Sequence, residues 1–143
     1  MYRFVDRLPP NLDEHFHFLT GAMRQWTAAA RAGRCPCAAL APGFAWRGVM
    51  PALGDFVKAM ALLDAHALRW MRFGTPGAAN VTEAEATLLA MFAAGLDGDA
   101  VAVRRIAATL VADSGAHDAV AQLASAAEWV SLRFVQAPLA QRD

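Results

Sequence analysis

Apolar residues recur at steps of three and four along most of this chain, with polar residues on the intervening positions. From Asn11 onward, Leu12, Phe16, Leu19, Met23, Trp26 and Ala30 keep to one side of a 3.6-residue helix. Asp13, His17, Thr20, Arg24 and Arg31 fall on the other side. Asn11 is a good N-cap, Glu14 stands at the reciprocal capping-box position, and Gly33 is a natural stop. A second helix is predicted from Pro51 to Phe73. Leu53, Phe56, Val57, Met60, Leu63, Ala67, Trp70 and Met71 share one face, and Asp55, Lys58, Arg69 and Arg72 the other. Residues 74–81 read as a loop. Thr82 and Glu85 then form a capping box for a third helix whose stripe is Leu88, Leu89, Phe92 and Leu96. Leu96–Asp99 is a tight turn, and Asp99 caps a fourth helix with Val103, Ile106, Ala107 and Leu110 facing inward. Ser114 and Gly115 break the chain. A fifth helix runs from Ala116 to Phe134, with Val120, Leu123, Ala127, Val130 and Phe134 inward.

Five amphipathic helices and no strand pattern predict an all-α fold, a compact bundle formed by one domain over residues 1–143. Residues 1–10 make an N-terminal arm and 136–143 a C-terminal tail. Residues 33–50 hold Pro36, Pro42, Gly43 and Gly48, which argues against one helix there. They are predicted instead to be an apolar loop between helices one and two, folded over the bundle end as a plug.

The chain of 143 residues has 57% hydrophobic and 18% charged residues, enough apolar surface for a core without disulfide or metal. Its formal net charge is zero. That argues against nucleic-acid binding, which needs surplus Lys and Arg to neutralise phosphates, and against a polybasic membrane-surface module. The first ten residues lack the apolar region of a signal peptide, and no uncharged run reaches a membrane span. These features, with twelve of 13 basic residues being Arg, fit a cytoplasmic protein of bacterial type whose two cysteines are thiols.

Four groups of residues are candidates for chemistry. Cys35 and Cys37 offer a thiolate pair, and His15 and His17 would have to complete a zinc or iron site. The histidines lie at the far end of helix one, about 27 Å away at 1.5 Å per residue, so one copy struggles to assemble four ligands. Glu14 and His17 have the Glu-x-x-His spacing of di-iron bundles, but that site needs a second such motif, and the chain holds only four Glu. Asp64 falls inside the apolar arc of helix two, where a carboxylate must be paired or protonated. It is a candidate polar anchor for a small apolar ligand, with Phe44, Trp46 and Arg47 of the loop around it. Trp129 and Leu132 lie on a second apolar side of helix five, which makes that helix either central or part of an interface, the interface being the expectation. No nucleophile constellation, P-loop or dinucleotide fingerprint occurs, so no catalytic residue is assigned and no enzyme activity is expected.

The stretch "VTEAEATLLAMFAAGL", Val81–Leu96, resembles the opening helix of the helix-turn-helix domain of quorum-sensing-type transcription regulators, with its Thr cap, acidic residues and Leu stripe. The likeness covers about sixteen residues and implies a groove-reading helix downstream. The next helix places Arg104 and Arg105 after "DAVAV", which reads no base edges, and the fifth has no Arg or Lys before Arg133. The expectation is therefore a homo-oligomeric, preferably dimeric, interaction or small-ligand-sensing module. A metal-binding protein and a transcription regulator are the alternatives, and no resident cofactor is expected.

Overall fold

The computed structural model describes residues 10–66, 73–74, 80–111 and 117–136, without the side chains of residues 10–13, 66 and 117. Among the described residues there are six α-helices and no strand. They are α1 (Pro10–Arg31), α2 (Pro36–Arg47), α3 (Leu53–His66), α4 (Glu83–Leu96), α5 (Ala100–Leu110) and α6 (His117–Gln136), with a 3-10 turn at Met50–Ala52 before α3.

α1 includes Asn11 within the helix, so the expected cap falls one residue or more inside it. The Thr82–Glu85 capping box forms as predicted, and the Asp99 side chain accepts from the Ala102 N–H. The predicted Ala67, Arg69, Trp70, Met71 and Arg72, residues 75–79 of the predicted loop, the Ser114–Gly115 break, residues 1–9 of the N-terminal arm and most of the C-terminal tail lie outside the described residues, and Pro10 belongs to α1 rather than to the arm.

The main correction is α2, since the predicted loop is a helix. Pro36 occupies the first helical turn, where its missing N–H costs nothing. Pro42 removes one bond, to the carbonyl of Ala38, and both residues are exposed, on a side of the helix where solvent can replace that partner. Leu40, Phe44 and Arg47, at steps of four and three, are the buried residues. Gly48 at φ 82° ends the helix: its N–H donates to Ala45 O, and that of Val49 to Phe44 O. Two prolines and two glycines thus start, interrupt and stop a helix rather than forbid one.

α6 is the hub, packing against α3, α4 and α5, while α1 lies on α2 and α4. Gly95 permits the α4–α6 approach, because a Cβ there would lie 2.3 Å from Ser131 Oγ. An aromatic row threads the core. Phe134 of α6 meets Phe18 of α1, Phe18 meets Phe44 of α2, Phe44 meets Phe56 of α3, and Phe56 stacks on Phe92 of α4. None of the helices is long and apolar enough to cross a membrane, among the described residues.

Candidate functional site

α2 buries its only charged residue beside Leu40 and Phe44 and exposes most of the rest of an apolar helix. Arg47 is 5% exposed, whereas Cys37, Ala38, Pro42, Gly43, Ala45 and Trp46 face solvent, Trp46 at 73%. Met50, one turn further on, is exposed too. A helix apolar on every side is ordinarily buried. Here no covering element exists among the described residues.

Arg47 is held inward by α1. Its Nη2 donates to His15 Nδ1 at 3.2 Å, and its guanidinium lies 5.9 Å from the centre of the Phe18 ring. Arginine has no acceptor, so this bond places the His15 proton on Nε2 and keeps the ring neutral. Burial first, then the Arg47 charge, lowers the His15 pKa, and Glu14 partly offsets them. The His15 ring also stands edge-on to Phe134, 5.3 Å between centres.

Between α1 and α2 runs a half-open cleft of about 200 Å³. Phe18, Ala22, Leu40 and Phe44 are its apolar surfaces, His17 and Gln25 its polar contributors, and Gly21 and Gly43 leave it open. A Cβ added at either glycine would meet nothing within 4 Å. Mid-helix glycine costs about 0.5–1 kcal/mol relative to alanine. Tight packing does not explain these two, since the space beside them is empty.

The expected ligand anchors are not brought together. Phe44 is buried in the core, Trp46 points to solvent, and Arg47 faces His15. Asp64 is exposed rather than inside the apolar arc, which corrects its reading as a desolvated acid. It sits in the last described turn of α3. The metal candidates also stay apart. Cys35 and Cys37 are exposed free thiols, His17 is exposed, and His15 gives Nδ1 to Arg47. No group of three or more His, Cys, Asp or Glu side chains suits a metal among the described residues. Trp129 and Leu132 are exposed, and Val135 extends their strip along α6. Arg133 lies over the Trp129 ring at 5.4 Å.

A buried ion pair escaped the sequence reading. Arg24, assigned to the polar face, is buried and donates from Nε and Nη2 to Glu85 at 2.8 and 2.9 Å. Glu85, wholly buried, also accepts from the Gly74 and Thr82 N–H groups, and Arg24 Nη2 donates to Asn80 O. Burial pushes the Glu85 pKa up, but the bonds from Arg24, Thr82 and Gly74 outweigh it and hold the carboxyl below its ordinary range. The signal was present in retrospect: Thr20, Arg24 and Thr27 repeat at steps of four and three, and all three are buried. With four bonds to it, this carboxylate ties Arg24 of α1 to the Gly74 and Thr82 backbone.

No protein-family model, curated protein or solved structure matches this chain.

Proposed function

We propose that this protein is a helical interaction module that self-associates through the outer face of α2. One observation carries the reading: an uncharged, apolar helix face, with Trp46 at 73% exposure, on a helix whose one charge is turned inward. Exposed apolar patches of this kind mark contact surfaces. Zero net charge removes repulsion between copies.

The small-ligand alternative has less support, because ligand pockets typically span about 300–1,000 Å³ and the cleft holds about 200 Å³. A zinc or iron centre at Cys35 and Cys37 would need ligands beyond the side chains that lie near them among the described residues. The regulator alternative rests on α5, whose exposed face offers Arg104 and Arg105 beside Val101, two charges where a basic row is needed.

The test is sedimentation of the protein under reducing conditions across micromolar to millimolar concentration, beside Ala45→Glu. Ala45 is exposed, so the variant folds normally. The expected result is a monomer of 15.3 kDa passing to twice that mass, with Ala45→Glu remaining monomeric. A wild-type protein that stays monomeric throughout would overturn the reading.

A further inference from the structure

Resting on that reading, we propose how the second copy docks: Trp46 of each copy inserts into the α1–α2 cleft of the other. Knob and hole lie on one flank of the same helix. Ala39, Gly43 and Trp46 are spaced by four and three residues, and Gly43 lines the cleft, so Trp46 stands one turn further along the same flank. The offset between Gly43 and Trp46 is about 4.5 Å along the axis. Two α2 helices packed antiparallel about a two-fold axis between these residues set each Trp46 against the other copy's Gly43. A two-fold contact requires one self-complementary patch, and this flank supplies both halves.

Size and chemistry agree. A cavity of about 150 Å³ accepts benzene, so the cleft of about 200 Å³ suits an aromatic ring of the next size. The indole N–H needs an acceptor when buried, and the cleft offers the Gln25 amide oxygen and an imidazole nitrogen of His17. No charged side chain lines the cleft. The paired glycines acquire a reason here: a side chain at either position would intrude on the space for the ring.

The contact is small. Each tryptophan brings on the order of 150 Å² and its cleft roughly half of that, so two insertions bury roughly 450 Å² and the outer face of α2 must supply most of the contact. Stable interfaces bury about 1,200–2,000 Å², which places this dimer in the weak, reversible class.

Three samples in reductant test it by sedimentation equilibrium: wild type, Trp46→Ala and Gly43→Leu. Helicity and thermal melts establish that both variants fold; neither position packs in the core. Each variant alone is expected to weaken dimerisation at least tenfold, as loss of a central aromatic anchor does. An equimolar mixture of the two should associate more tightly than either alone, because the Trp46 of one enters the open cleft of the other. Dimerisation unchanged in both variants but lost in Ala45→Glu would overturn the insertion and leave the α2 reading standing. Dimerisation insensitive to all three would move the contact to the Trp129–Leu132 strip of α6. A small aromatic molecule that fills the cleft in a protein that stays monomeric would overturn both.

Discussion

α2 and α4 are both apolar helices with charged residues only near one end, and they occupy opposite environments. Every residue of α4 from Ala84 to Ala94 is buried, with α1, α5 and α6 around it. α2 buries one stripe and leaves the rest in water. Each helix takes one charge inward, by different means. Glu85 of α4 has an opposite charge and two backbone donors, whereas Arg47 of α2 has an imidazole and an aromatic face. Composition alone therefore does not set burial. The difference between the two is that α4 is enclosed within its own chain, while among the described residues nothing covers the outer face of α2, the surface for which association is proposed.

The comparison can be broken at α4 first. Removing one partner of a buried ion pair costs about 3–5 kcal/mol, so Glu85→Ala should lower stability by that order in urea unfolding. The pH dependence follows from the sign of the shift. Because the folded state holds the Glu85 pKa below its ordinary 4.5, its contribution is complete above that value. It is lost as pH falls through the lower folded value, and Glu85→Gln should flatten the acid limb. Next, Leu88→Ala in the α4 core should cost about 2–5 kcal/mol. Glycine sharpens the contrast at smaller scale. Gly95→Ala drives a methyl into Ser131 and should cost about 1–3 kcal/mol. Gly43→Ala in α2 meets open space and should stabilise by about 0.5–1 kcal/mol. Smallest of all, Trp46→Ala should change the unfolding free energy of the monomer by less than about 0.5 kcal/mol at dilution. A large loss there would show that the tryptophan supports its own chain rather than another.

The helical class, the α4 capping box, the Asp99 cap and the stop at Gly33 were legible because each rests on local chemistry within four residues. α2 was not. Pro42 and Gly43 count against a helix when read as isolated residues, whereas Ala38 and Pro42 lie on the exposed side of α2, where a missing backbone bond costs least. Asp64 shows the converse limit: its wheel position was correct for an ideal helix, yet helix position does not state where the neighbouring helices stop. Trp129 and Leu132 were recognisable as outward because α6 carries more apolar residues than one stripe can use. The Arg24–Glu85 pair spans 61 residues, and no local pattern encodes which carboxylate a buried guanidinium will meet. The cleft was hidden for the same reason, as its two glycines lie on different helices.

That separation of 61 residues also orders the assembly of the chain. Glu85 reaches Thr82 across three residues and Gly74 across eleven, closures that cost little entropy and form early. Arg24 must arrive from a distant segment, and until it does the carboxylate lacks its counter-ion. Burying the N-terminal turn of α4 with that carboxylate ionised is therefore costly until α1 docks, so the burial of the central helix is coupled to the closure that brings Arg24 to it.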